Sequence, residues 1–242
     1  MKNCIKICAS AILILLSWHF SSIMISKNML PAPYPVIKNT VINFSGDLSI
    51  HCLYSLKRIF LGITLAASIA WPLGIVLGYF KKLDNLISPI IYILYPVPKI
   101  AFLPIFMLLF GLGDVTKIAM IFVIIFFQIL VNTRDAVRVI NPSLFFPLKV
   151  LGASTPQLFI HIVAPYSLPV LVSSIRIALG TGIAVLFFSE TFGSQYGLGY
   201  YIMDSMMRID YIGMFSGILI LSILGLILFT LTEYTEKKLT NK

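Results

Sequence analysis

The sequence predicts an all-α integral membrane protein with six transmembrane helices, and three observations predict it. Of the 242 residues, 59% are hydrophobic and only 11% charged, whereas a soluble domain carries about a quarter of its residues as Asp, Glu, Lys or Arg. Apolar runs recur at close to the about 20 residues that a helix needs to cross the hydrocarbon core. The stretches between them are too short for an extramembrane domain. The same composition excludes intrinsic disorder, and three scattered cysteines exclude a disulfide framework. The net charge of +9 comes from 18 Lys and Arg placed in ones and twos. No basic, aromatic-interleaved stretch follows a phosphate backbone, so nucleic acid is not an expected partner.

The first segment, Ile7 to Ile25, follows Lys2 and Lys6 and resembles a signal peptide. No small-residue cleavage site stands around Ser21 to Lys27, so a retained helix is expected over 1–26. An outer loop follows over 27–58, with Pro31 to Leu56 at its centre. The second span, Ile59 to Phe80, ends at Lys81-Lys82. The third, Leu86 to Leu112, contains Pro89, Pro96, Pro98 and Pro104, so a kink or an interruption is expected there. The fourth runs from Ile118 to Thr133, the fifth from Leu168 to Phe188, and the sixth from Ile212 to Leu231, which leaves Thr191 to Asp210 as a second outer loop. The membrane core is thus 59–235 and the tail 236–242. The first three segments show no glycine and proline correspondence with the last three, so no internal repeat is evident.

Six spans place both termini on one side. With the termini inside, the inner segments hold Lys2, Lys6, Lys81, Lys82, Arg134, Arg138, Lys149, Lys237, Lys238 and Lys242, and the outer ones hold Lys27, Lys38, Lys57, Arg58, Lys117 and Arg208. Basic residues concentrate on the cytoplasmic side of membrane proteins, so both termini are expected there. The remaining two cations, Lys99 and Arg176, fall within spans.

The inner loop at 134–167 is too long for a turn and too apolar for disorder. Leu148, Leu151, Leu158, Phe159 and Ile162 recur at helical spacing and predict a helix, a turn and a second helix. Gly152 is placed to end the first helix, because glycine enters the left-handed region without steric cost. Ser154 or Thr155 can cap the second helix, Pro156 fits its first turn, and Pro165 is expected to end it. The product is an amphipathic elbow, and its apolar face must be covered by headgroups or by a docked protein.

The run Leu151-Gly-Ala-Ser-Thr-Pro-Gln-Leu-Phe-Ile-His-Ile-Val-Ala-Pro-Tyr-Ser-Leu-Pro169 resembles the EAA loop of binding-protein-dependent ABC importers, above all of the nitrate, sulfonate and taurine branch. The resemblance continues in order through Pro96-Val-Pro-Lys-Ile-Ala-Phe-Leu-Pro104, Phe110-Gly-Leu-Gly113, Asn132-Thr133, Ile175-Arg-Ile-Ala-Leu-Gly180, Ser189-Glu-Thr-Phe-Gly193 and Tyr196-Gly-Leu-Gly-Tyr200, over roughly residues 50 to 235. It implies a type I importer permease fold with a cytoplasmic coupling helix. By that resemblance Leu151, Gly152, Ala153, Ser154, Gln157, Leu158 and Pro165 couple to a separate ATPase subunit. The further partners it implies are an extracytoplasmic solute-binding protein and a second permease copy, most simply in a homodimer. The location implied is the plasma or inner membrane, with lipid around the spans. One departure stands out: the family's Glu-Ala-Ala positions hold Phe146-Pro147-Leu148. This removes a carboxylate, and Pro147 is expected to shorten the first helix.

Lys99, Arg176 and Glu190 fall at membrane depth, where an unpaired charge costs a few kcal/mol or more. They are candidates for a polar translocation path that attracts an anion. The structural alternatives are that Glu190 pairs with one of the cations and that Lys99 snorkels to an interface. Gly74 and Gly78, and Gly213 and Gly217, form small-xxx-small pairs that permit close helix contact. His19, His51 and His161 lack metal-ligand spacing, and no Gly-rich loop with lysine and Ser/Thr is present, so no metal or cofactor is expected on this chain. ATP is expected on the partner subunit. The resemblance implies the permease subunit of an ATP-driven importer for a small, anionic, sulfonate-, nitrate- or taurine-like solute, and not an enzyme. The alternative is an ion-coupled secondary carrier using Glu190.

Overall fold

The computed structural model describes residues 2–25 and 29–240, with side chains from Ala9 onward; Lys27, Lys242 and the side chains of Lys2 and Lys6 lie outside the described residues. Among the described residues the chain is helical and contains no strand. The helices are α1 (Lys2–Ile25), α2 (Pro33–Phe44), α3 (Asp47–Tyr79), α4 (Lys81–Leu94), α5 (Leu103–Phe110), α6 (Asp114–Arg138), α7 (Phe146–Val150), α8 (Thr155–Leu158), α9 (Ala164–Glu190), α10 (Leu198–Met207) and α11 (Tyr211–Thr240).

Four helical runs are long and apolar enough to cross a bilayer: Asp47–Tyr79, Asp114–Arg138, Thr155–Glu190 and Tyr211–Thr240. The bent pair Lys81–Leu94 and Lys99–Phe110 makes a fifth if it counts as one span. The first of the expected spans, Ile7 to Ile25, corresponds to the apolar stretch Ala9–Ile25 of α1, which is shorter than the four long runs.

The interruption expected in the third span is present, with its two halves bent by 82°. Of its four prolines, one pair makes the break. Pro98 starts a 3-10 turn at Lys99–Phe102 from extended backbone, and Pro96 stands just beyond the end of α4. A proline disfavours helix in the residue before it, so the Pro96-Val97-Pro98 triplet cannot continue α4. Pro104 lies in the first turn of α5, where no backbone donor is needed, and Pro89 is tolerated inside α4.

The chain divides into two compact units, Met1–Ser55 with Glu190–Leu224, and Leu56–Ser189 with Gly225–Lys242. The second unit is built on a seam between α3 and α6. Gly62, Ala66, Ala70, Gly74 and Gly78 follow one another at four-residue spacing on α3, and both alanines are fully buried. A Cβ added at Gly62 would stand 2.5 Å from Ile121 Cγ2, at Gly74 2.7 Å from Thr133 Cβ, and at Gly78 2.6 Å from the Arg134 carbonyl. The Gly74–Gly78 pair is therefore part of a longer stripe that brings two backbones together. Ile121, Ile125 and Ile129 of α6 pack there with Leu179 and Leu186 of α9.

The first unit overturns two loop expectations. Residues 27–58, expected as an outer loop, hold α2 and the first turns of α3. Pro33 and Pro35 stand at the start of α2, where a missing N–H costs nothing, and Val36 and Thr40 bury one face of it. Asn39 Nδ2 donates to Ser216 Oγ at 3.0 Å, and Trp18 Nε1 donates to the Pro31 carbonyl at 3.1 Å. The stretch Thr191 to Asp210, also expected as a loop, contains α10. A Cβ at Gly217 would meet Ile202 at 2.7 Å and Tyr201 at 2.9 Å, so this glycine lets α11 approach α10 closely. Burial, with the Asp210 carboxylate as the next cause, pushes the Tyr201 phenol above its usual range.

Candidate functional site

The elbow forms as helix, turn and helix, and its turn is fully hydrogen-bonded. At the end of α7 the Gly152 N–H donates to the Lys149 carbonyl at 3.0 Å and the Ala153 N–H to the Leu148 carbonyl at 2.9 Å. This is the Schellman closure, which requires a left-handed residue at the position Gly152 occupies, and Gly152 has φ +77. Ser154 is the N-cap of α8, and Gln157 Oε1 accepts from its N–H at 2.7 Å and from its hydroxyl at 3.0 Å. Pro156 lies in the first turn of α8 as expected. Pro147 also falls in a first turn, that of α7, so it removes no helical hydrogen bond there; α7 is short because it begins at Phe146, after a 3-10 turn at Pro142–Phe145.

Pro165 does not end the second helix. A π-turn at Phe159–Val163 follows α8, the Ala164 N–H donates to the Phe159 carbonyl, and α9 continues from there. The i→i−5 turn widens the helix just before the proline, which relieves its clash with the preceding turn. The elbow and the fifth span are therefore one helical run, Thr155–Glu190.

The elbow has a wet side and an anchored side. Leu151 is 81% exposed, Val150 and Phe146 69% each, and Gly152, Ser154, Gln157 and Pro165 are exposed as well. Ala153 is half-buried. Leu158, expected among the coupling residues, is buried with Val163, and the neighbouring Phe159 packs edge-on against Tyr79 at 4.8 Å. Leu158 thus anchors the elbow rather than presenting it.

The three charges expected along a path have different surroundings. Arg176 Nε lies 3.0 Å from Glu236 Oε2, and its guanidinium stands 5.7 Å from the Phe229 ring. Glu236 follows the apolar run of α11, so this pair sits near the end of a span. Glu190 is fully buried at the end of α9. It accepts from Ser55 Oγ at 2.9 and 2.8 Å and from the Gly199 N–H at 2.9 Å. Ser55 Oγ in turn accepts from the Leu198 N–H at 2.8 Å, and His51 Nδ1 accepts from the Gly197 N–H at 3.0 Å. Glu190, Ser55 and His51 together satisfy the free N–H groups at the start of α10, where the helix dipole also favours a carboxylate. Glu190→Gln turns one acceptor into a donor facing this set of donors. A loss of about 1–3 kcal/mol is expected, read as a lower melting temperature of the purified protein; an unchanged melting temperature would remove Glu190 from this role.

Lys99 lies in the 3-10 turn of the broken span. Its ammonium rests on the Tyr95 carbonyl and stands 5.1 Å from the Tyr95 ring and 5.0 Å from the Phe127 ring. It lines a cavity of about 450 Å³ with Gln128, Thr181 and Ala184.

Sequence reasoning missed a buried carboxylate. Asp84, in the first turn of α4, is fully buried. It accepts from Ser88 Oγ at 2.7 Å, is paired with Arg138, and lies 3.9 Å from Arg134. The signal available was Asp84 beside Lys81-Lys82 and the four-residue spacing of Arg134 and Arg138, but only the contact of α4 with α6 joins them. Among the described residues no group of His, Cys, Asp or Glu could hold a metal ion.

A family model described as "Binding-protein-dependent transport system inner membrane component" matches residues 70–241. A putative aliphatic sulfonates transport permease of Bacillus subtilis is 31% identical over 219 residues, covering 89% of this chain and 79% of the relative. The taurine transport system permease of Escherichia coli is 27% identical over 237 residues, covering 95% and 86%. The nitrate import permease of Synechococcus elongatus is 28% identical over 199 residues, covering 78% and 71%. A chain of the inward-facing methionine ABC transporter superposes with a TM-score of 0.66 at 22% identity, covering 77% of this chain and 93% of that one.

Proposed function

We propose that this chain, which belongs to the family of binding-protein-dependent transport system inner membrane components, carries a small sulfonate-, taurine- or nitrate-like anion through the membrane. It is the permease subunit of an ABC importer, so ATP is hydrolysed on a separate subunit and not on this chain. The ion-coupled carrier that Glu190 suggested finds no support.

In this reading two copies of the chain form a homodimer, an extracytoplasmic binding protein delivers the solute, and one ATPase subunit docks on each elbow. Both termini face the cytoplasm, with 27–58 on the outer side, the core at 59–235 and the tail at 236–242. Leu151, Gly152, Ala153, Ser154, Gln157 and Pro165 form the coupling surface, and Leu158 fixes it from beneath.

The observation that carries this reading is the continuity of the elbow with the fifth span. A run of 36 residues, Thr155–Glu190, is roughly 54 Å long at 1.5 Å per residue. A displacement at Ser154 is carried by a hydrogen-bonded rod into the bilayer, instead of being lost at a proline break. With no carboxylate at the start of α7, docking rests on the apolar tip at Val150 and Leu151.

The test is copurification in mild detergent with the ATPase subunit of the same importer, co-expressed with this chain. Wild type is expected to retain the ATPase subunit, and Leu151→Asp to lose most of it while reaching the membrane in normal amount. Full retention by Leu151→Asp would move the docking surface away from the elbow.

A further inference from the structure

The cavity at the break of the third span combines a cation with unused donors. Lys99 is offered by the 3-10 turn, Gln128 by α6 and Thr181 by α9, around about 450 Å³. Gln128 stands 14 residues after Asp114 and 10 before Arg138, roughly 21 and 15 Å along the helix, so the cavity lies well inside the hydrocarbon core. Among the described residues no carboxylate pairs with Lys99, and no side-chain hydrogen bond engages Gln128 or Thr181. An ammonium has three donors, and the Tyr95 carbonyl takes one of them. A cation held at this depth without a counter-charge is costly unless a ligand or water supplies the missing interaction. The other walls, Tyr95 and Phe127 among them, are aromatic and apolar.

From this geometry we infer that Lys99, Gln128 and Thr181 form a transient subsite for a small organic oxyanion. Its negatively charged head meets the ammonium, the amide and the hydroxyl, and its short carbon tail lies against Tyr95 and Phe127. The inference rests on the permease reading and deepens it. It assigns the solute class to an alkanesulfonate-like anion, for which an inorganic anion would leave the apolar walls unused. The bend makes the site possible, since a continuous helix would keep the Tyr95 carbonyl in its own hydrogen-bond ladder.

The test uses a sulfonate as its own probe. In the permease–ATPase complex, Cys4, Cys8 and Cys52 are replaced by serine and Thr181→Cys is introduced. Labelling rates are then measured with the anionic reagent 2-sulfonatoethyl methanethiosulfonate and the cationic reagent 2-(trimethylammonium)ethyl methanethiosulfonate, each normalised to its rate with a free thiol. The anionic reagent is expected to be favoured by about tenfold, because a unit charge a few ångströms from the thiol attracts one reagent and repels the other. Lys99→Gln should abolish that preference and Lys99→Arg should keep it. Methanesulfonate at millimolar concentration should slow labelling with Lys99 present and not with Lys99→Gln. A normalised ratio that Lys99→Gln leaves unchanged overturns the subsite, and so does a Thr181→Cys thiol that neither reagent reaches in any nucleotide state. Copurification of the ATPase subunit is scored in the same preparations: its loss in the parent protein counts against the coupling reading, whereas a failed charge preference with the complex intact counts against the subsite alone.

Discussion

Replacing Gly152 with valine is expected to abolish uptake while the chain still inserts in the membrane and the ATPase, if bound, hydrolyses ATP without transport. The effect is one of backbone conformation. Gly152 has φ +77, and no atom lies within 4 Å of the place a Cβ would take, so a side chain finds space but not a permitted backbone. The left-handed conformation costs an ordinary residue about 1–2 kcal/mol, and a β-branched one is a genuine outlier there. The two hydrogen bonds that close α7 depend on that conformation. When they open, Val150 and Leu151 shift relative to Ser154, and the proposed coupling surface loses its shape. Asparagine tolerates the left-handed region, so Gly152→Asn should transport nearly normally, with Gly152→Ala between the two. Uptake, ATPase rate and membrane-fraction yield of the four proteins check this order. Coupled transport in Gly152→Val would take the elbow out of the coupling role, and equal loss in valine and asparagine would mean that the partner touches the glycine itself.

Gly78→Leu is expected to fail at an earlier stage, in the packing of the protein. A Cβ there would overlap the Arg134 carbonyl and Val137 Cβ, both at 2.6 Å, and neither is the end of a flexible side chain. Relief requires α3 and α6 to separate, which also draws Arg134 and Arg138 away from buried Asp84. Overpacking of this kind costs about 1–3 kcal/mol and occasionally more, or about 2–4 °C in melting temperature for each kcal/mol in a chain of this size. Gly180→Ala is the contrast. Nothing lies within 4 Å of a Cβ at Gly180, so alanine should be neutral or stabilise by roughly 0.4–1 kcal/mol through the unfolded chain. Thermal melting of the two variants in one detergent measures the difference. A Gly78→Leu protein as stable as wild type would show that the seam can open at little cost.

Much of the fold is legible in the sequence. Apolar run length located the long spans, because the bilayer imposes a length that soluble cores do not. The proline cluster marked the broken third span, and Gly152, Ser154 and Pro156 marked the elbow, because each acts on the backbone within a few residues of itself. The same local reasoning failed at Pro165. Whether a proline ends a helix depends on whether the turn before it can widen, and the π-turn at Phe159–Val163 supplies that. It also failed over 27–58, where the position between two apolar spans suggested a loop but burial of Val36 and Thr40 supports a helix.

The sequence by itself determined the class of protein, the place and shape of the elbow, and the family to which both belong, since those properties follow from composition, span length and local backbone chemistry. Tertiary structure alone decided the partner of each charge. Arg176 meets Glu236, 60 residues away; Glu190 meets Ser55, 135 residues away; and Asp84 meets Arg134 and Arg138 across the contact of α4 with α6. A buried charge takes whichever complementary group the packing brings within about 3 Å, and sequence separation carries no information about that distance. Lys99 is the case in which packing brings a cavity with unused donors in place of a counter-ion, and there the membrane-depth charge points to a solute.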